Sequence, residues 1–209
     1  MSSTLALHST KNQHTTNNQQ PTTNNQQPTT NNHQHNCVTI DPPITRTDAE
    51  QVTGLAFSAD GSLLATASID MTAKVWRDGE LLQTFAVSDV ESVRSVSFSP
   101  DSTRLATAAR DMLGKVFSVA TGELLLTLAG HVEPVYGIAF SPAGERIVTA
   151  SRDRTLKTWN STSGEELLTF TGHTSFIWGV AWSADGASIY STPPVRFFLV
   201  ARRQPTFLL

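Results

Sequence analysis

The sequence predicts an all-β chain made of repeated four-stranded antiparallel sheets behind a disordered N-terminal tail. Three observations carry that prediction. Four segments match one another at a fixed period, with anchor aromatics Phe57, Phe98, Phe140 and Trp182 spaced 41, 42 and 42 residues apart. Within each segment, short runs alternate apolar and polar residues with the period of two that marks half-buried strands. The same turn chemistry separates those runs each time. A repeat of this length holding four short strands makes a propeller blade, which buries its faces only against the blades beside it.

Taken in order, residues 1–36 carry no strand signal. Lys11 is their only charged residue, and "NNQQPTT" occurs at 17–23 and again at 24–30. So little apolar surface cannot offset the entropy of ordering the chain, which predicts disorder. Prolines seven residues apart point to an inert spacer more than to a self-associating amide ladder. His33 and His35 flank Gln34, a weak metal site at best. "CVTI", Cys37 to Ile40, stands where an outer strand would precede the first unit.

The units then run over about 46–85, 86–128 and 129–170, with a partial fourth over 171–192. First strands are "VTGLAF", "VRSVSF" and "VYGIAF", each followed by a turn: "SADG", "SPDS" or "SPAG". Second strands are "LLATAS", "RLATAA" and "RIVTAS", leading to polar turns that hold Asp70, Asp111 or Asp153. Third strands end at Trp76, Phe117 and Trp159, and fourth strands read "GELLQTF", "GELLLTL" and "GEELLTF". The fourth unit, "IWGVAWSADGASIYST", stops matching after Thr192.

Composition excludes several classes of function. Of 209 residues, about 160 to 170 are available to pack a core. A net charge of −3 implies no basic face for nucleic acid. The single cysteine, Cys37, cannot close an internal disulfide, which fits a reducing compartment. No signal peptide is visible in "MSSTLALHST", and the apolar run in "VRFFLVARR" is too short to span a membrane. The expectation is a soluble, cytoplasmic chain. No phosphate-binding glycine loop, paired-cysteine site or HExxH motif is present, so no cofactor and no metal are expected.

One unit holds the ingredients of nucleophilic catalysis: His131, Ser151 and Asp153. A catalytic triad occurs once, with its nucleophile exposed beside oxyanion donors. Here Ser68 and Asp70 repeat the arrangement in the first unit, which suits architecture. Over roughly residues 46 to 192 the chain resembles the WD40 repeat family. The resemblance implies that a Gly-His pair, a Ser or Thr in the second strand, a turn Asp and a third-strand Trp form one hydrogen-bonded set per blade. Carried onto this sequence, the full set is His131, Ser151, Asp153 and Trp159, with Ser68, Asp70 and Trp76 in the first unit, Asp111 in the second and His173 in the fourth. The first two units have Asp48 and Asp89 in place of the histidine, and the second also has Ala109 and Phe117. Those blades are expected to lack the full polar network and to rely on packing.

The resemblance further implies a ring of about seven blades, whereas three units and part of a fourth are seen. Two readings of the chain after Thr192 are open. In the preferred one the repeat is broken there, as by a frame or gene-model error, and 193–209 belong to no fold. In the other, Pro193-Pro194 shorten a turn into "VRFF" as a worn third strand, with "TFLL" as the fourth and Phe198 in the place of Trp159. Two such half-rings pairing as a homodimer, or a fragment of a larger signalling or regulatory protein, are the alternatives to a stand-alone scaffold.

By the same resemblance, loops entering the first strand and those between second and third strands share one face. Thr53, Arg94, Tyr136 and Trp178 would line it near the first strands, with Ile69, Arg110 and Arg152 before the turn aspartates and Phe176 alongside. Arg, Tyr and Trp combine contact area with polar handles, and guanidinium pairs well with carboxylate or phosphate. The expectation is a non-catalytic scaffold whose partners are proteins or peptides, acidic or phosphorylated ones included. The alternative for Arg110 and Arg152 is simple neutralisation of adjacent Asp111 and Asp153.

Overall fold

The computed structural model of the chain describes residues 50–192 and 199–202. The N-terminal tail, "CVTI", Asp48, "VRFF" and "TFLL" therefore lie outside the described residues. All regular structure within them is strand. The first sheet runs β1 (Val52–Phe57), β2 (Leu64–Ser68), β3 (Thr72–Arg77) and β4 (Glu80–Ala86). The second runs β5 (Val93–Phe98), β6 (Arg104–Ala109), β7 (Gly114–Ser118) and β8 (Leu124–Leu128). The third holds β9 (Val135–Phe140), β10 (Arg146–Ser151), β11 (Leu156–Asn160) and β12 (Glu166–Phe170), and the fourth β13 (Gly179–Trp182), β14 (Ser188–Thr192) and β15 (Leu199–Arg202). Each sheet is an antiparallel meander in chain order. First strands β1, β5, β9 and β13 touch in succession, so the sheets stack edge-inward as blades do.

Local chemistry explains the turns. After β1, the Ser58 hydroxyl donates to the Asp60 carboxylate at 2.6 Å and accepts from the Leu63 N–H at 2.8 Å, while Gly61 takes φ +72°. Ser99 with Asp101, and Ser183 with Asp185, repeat the hydroxyl–carboxylate bond. Such bonds let a short polar loop reverse the chain without orphaning backbone groups.

Three apolar cores lie between successive sheets. Phe98 and Val96 of β5 pack onto Ala65, Val75 and Phe85 of the first sheet. Phe140, Ile138 and Trp159 of the third pack onto Val116 and Leu128 of the second. Val148 and Leu156 meet Ile177 and Ile189 at the last junction. A fully buried large apolar side chain stabilises by roughly 1.5–3 kcal/mol, so these junctions dominate the energetics. Inner strands approach backbone to backbone. A Cβ on Gly137 would stand 3.2 Å from Gly179 Cα and 3.2 Å from Val180 N, and one on Gly54 would stand 2.9 Å from the Arg94 carbonyl oxygen.

Beyond Thr192 the described residues are Leu199–Arg202, which form β15. β15 pairs antiparallel with β14, Ile189 opposite Ala201 and Ser188 opposite Arg202. In the third sheet Ile147 faces Trp159 and Arg146 faces Asn160. The 42-residue register is thus kept, with Ala201 at the tryptophan position, and strand pairing continues past the point where the sequence pattern ends. Unpaired N–H and C=O groups along β14 give the reason: a neighbouring extended segment satisfies them whatever its side chains.

Candidate interaction site

Beneath the loops of the third sheet, the structure joins His131, Asp153 and Trp159 through Thr149 and not through Ser151. The Trp159 indole N–H donates to Thr149 Oγ1 at 2.9 Å, Thr149 Oγ1 lies 2.7 Å from His131 Nε2, and His131 Nδ1 lies 2.7 Å from Asp153 Oδ2. Thr155 adds an N–H bond and a hydroxyl bond to the same carboxylate. Burial, only partly opposed by the Asp153 contacts, holds the His131 imidazole below its ordinary value. A neutral ring with its proton on Nδ1 fits a one-way relay from indole through hydroxyl and imidazole to carboxylate. Burial acts to raise the Asp153 carboxyl, but the bonds from Thr155 and His131 outweigh it and leave it low.

Ser151 has a different role. Its hydroxyl lies 2.9 Å and 3.0 Å from the carbonyl oxygens of Glu133 and Pro134, accepts the Asp153 N–H at 3.1 Å, and is fully buried. It neither meets His131 nor reaches a substrate, so no nucleophile is assembled here. Thr149 was legible: Thr66, Thr107 and Thr149 recur in every full unit, two residues before the serine, and persist where Ala109 replaces it.

The other sheets carry variants of this pin. In the first, Trp76 donates to Thr66 at 3.1 Å, again in place of the predicted Ser68, whose hydroxyl accepts the Asp70 N–H. The first two blades have no histidine relay like that of the third, and lysines meet their turn carboxylates instead. Lys74 reaches Asp70 at 3.2 Å, and Lys115 reaches Asp111 at 3.1 Å and the Val87 carbonyl. Each ammonium group satisfies the turn carboxylate of its own blade, whereas the equivalent Lys157 in the third sheet pairs with Glu166. Asp89, at the histidine's place in the second unit, is exposed. In the fourth, His173 Nε2 lies 2.8 Å from Ser191 Oγ, the equivalent of Thr149.

Above the pins, β-bulges build a side-chain row. The ladders skip Thr53, Arg94 and Tyr136, each the extra residue at the start of a first strand. A bulge turns its extra residue out of the alternation, which is how one position per blade comes to serve the loop face. Thr53 donates 2.6 Å to the Val93 carbonyl and so ties the first sheet to the second. Arg94 and Tyr136 form a continuous row with Trp178, which directly precedes β13, and Phe176. The Arg94 guanidinium lies 5.9 Å from the Tyr136 ring centroid, Tyr136 lies 4.8 Å from Trp178, and Trp178 lies 5.5 Å from Phe176. Trp178 is 49 % exposed. In the loops entering β5 and β9, Val90 and Val132 are 76 % and 75 % exposed.

Ile69, Arg110 and Arg152 each donate a backbone N–H to the loop entering the first strand, at Gln51, Ser92 and Pro134. The arginines do not neutralise Asp111 and Asp153, which Lys115 and His131 already occupy. Arg110 pairs instead with Glu91 at 3.6 Å, and Arg152 with Glu133 at 4.0 Å, both half-exposed.

Comparison with known proteins follows the same geometry. The family described as WD domain, G-beta repeat matches residues 31–77, 79–118, 122–160 and 164–192. These units run one strand out of phase with the sheets, each full one inside the described residues starting at the outer strand of the sheet before. Among solved structures, the crystal structure of the WD40 beta propeller domain of Doa1 is similar, with TM-score 0.62 and 28% identity, covering 68% of this chain and 48% of that one. The chain thus spans about half the length of that structure. No curated protein matches the sequence.

Proposed function

The chain belongs to the WD domain, G-beta repeat family, and from that premise we propose that it is a non-catalytic platform holding protein or peptide partners on its loop face. One observation carries the reading: the continuous row Arg94–Tyr136–Trp178–Phe176, in which the tryptophan is half-exposed. Rigid aromatics beside a guanidinium supply contact area at low entropic cost, the composition of binding hot spots. The pins below have no exposed nucleophile and serve to hold the loops that carry this row.

Partner retention by the double variant Tyr136→Ala/Trp178→Ala tests the reading. We expect proteins retained by the wild type to be lost, with an unchanged circular dichroism spectrum. Equal retention by variant and wild type sinks it.

A second reading has its own observation. Leu55 and Phe57 on β1 are 64 % and 61 % exposed, whereas Val96 and Phe98 in the second unit are 5 % and 7 %, and Ile138 and Phe140 in the third 3 % and 8 %. Those positions are covered by the preceding sheet in the later units. We propose a second copy of the chain as the occupant of the β1 face, presenting its fourth sheet, where Tyr190 is 42 % exposed at the position of fully buried Val148. Light scattering should then find a dimer that Phe57→Asp dissociates, and a monomer at all concentrations removes the idea.

A further inference from the structure

Three buried side-chain polar atoms have no hydrogen-bond partner among the described residues: Ser92 Oγ, Arg94 Nε and Arg110 Nε. They share one place. The Arg110 N–H donates 3.0 Å to the Ser92 carbonyl, Val93 pairs with Ala109 on the next rung, and Arg94 is the bulged residue between that rung and the following one. All three therefore sit at the loop end of the β5–β6 pair. Leaving donors buried and unpaired is costly, and such groups mark places where a further partner belongs.

The ligand chemistry follows from the donors. Two guanidinium groups and a hydroxyl call for an oxyanion. A carboxylate is already at hand, since Glu91 lies 3.6 Å from Arg110 NH1, yet it leaves both Nε atoms and the serine unpaired. A phosphate monoester brings close to two charges and three acceptor oxygens, more than a carboxylate offers to two guanidinium groups and a hydroxyl. Arg94 and Arg110 are both partly exposed, although their Nε atoms are buried, so an arriving group meets the outer part of each side chain first. Beside Arg94 the stacked Tyr136 and Trp178 offer an apolar shelf for a neighbouring side chain of the same ligand.

We propose that the Ser92–Arg94–Arg110 cluster is the subsite for a phosphorylated serine or threonine of a peptide bound on the loop face. This rests on the reading of that face as an interaction platform. Glu91 then swings away from Arg110 as the phosphate enters, and Arg94 keeps its stack on Tyr136 while its N–H groups turn to the anion.

Inorganic phosphate titrated into the full chain, with arginine Nε–Hε resonances recorded by NMR, tests the subsite first. We expect saturable shifts of the Arg94 and Arg110 signals that Arg94→Gln abolishes. Fluorescence anisotropy then compares degenerate peptide pools fixed at a central phosphoserine, serine or glutamate. The phosphoserine pool should bind at least about tenfold tighter than either other pool, and Arg94→Gln should remove that advantage. Arg94→Lys keeps the charge but not the fork or the stack, and should retain part of it, which separates anion recognition from misfolding. Absence of saturable phosphate shifts, or equal binding of the glutamate and phosphoserine pools, overturns the proposal. If partners survive phosphatase treatment but are lost in Tyr136→Ala/Trp178→Ala, the subsite fails while the platform stands; if the double variant keeps them, the platform fails too.

Discussion

Thr149 shows how one hydroxyl decides the character of a site. It accepts from Trp159 and contacts His131, so its removal leaves two buried ring nitrogens without a partner. Thr149→Val should cost about 2–3 kcal/mol in urea unfolding, Thr149→Ser much less, and Ser151→Ala about 1 kcal/mol. A larger loss for Ser151→Ala than for Thr149→Val would mean the relay is misassigned. Protons act through the same group. The folded His131 binds its proton more weakly than the unfolded chain does, so below about pH 6.5 the unfolded state takes up protons that the folded state refuses. Stability should fall from pH 7.5 toward pH 5 and level off below the folded value; His173, also lowered by burial, adds in the same direction. Asp153 and Asp70 are held low, so their contribution is lost only in a second, more acid step. His131→Gln should flatten the first step in midpoint-against-pH measurements. In the sequence, His131, Asp153 and Trp159 were legible as one set, but Ser151 and Thr149 both offered a hydroxyl on the same side of β10. The recurrence of Thr66, Thr107 and Thr149, which persists where Ala109 replaces the serine, is the signal that separates them. The lysines recur at one position in all three units, but their partners differ, Asp70 and Asp111 in the first two and Glu166 in the third, and only the fold shows that.

At the scale of elements, the strands were readable almost residue for residue, because a period of two and repeated turns leave few other pairings. Bulges were not readable, since they arise where the inner strand must bend against its partner, yet they decide which residues form the loop face. Close approach of inner strands makes a sharp prediction. Gly137→Ala places a methyl against the backbone of β13, which cannot rotate aside, and should destabilise by about 1–3 kcal/mol. Wild-type stability in that variant would show that β9 and β13 stand further apart than described. Equivalent phenylalanines give a second contrast. Phe98→Ala should cost about 3–5 kcal/mol, whereas Phe57→Ala, measured where the chain is monomeric, should cost no more than about 0.5 kcal/mol.

For the whole molecule, the account separates what holds the blades from what meets the outside. Polar pins and apolar junctions repeat with the period and are spread over all the sheets, as scaffolding requires. Arg94, Tyr136 and Trp178 repeat in position but change in chemistry from blade to blade, which fits the proposed recognition surface. Repetition made the first legible in sequence and, through register, named the residues of the second, while their ring-to-ring contacts needed the fold. The measurement that tests this division most directly is site-resolved photo-crosslinking. A photo-reactive phenylalanine analogue is placed at Trp178 in one preparation and at Leu168, 57 % exposed on the outer strand β12, in another. The account predicts saturable adducts from the Trp178 position, competed by unlabelled protein, and none from Leu168. Adducts forming equally at both, or only at the outer strand, would contradict it.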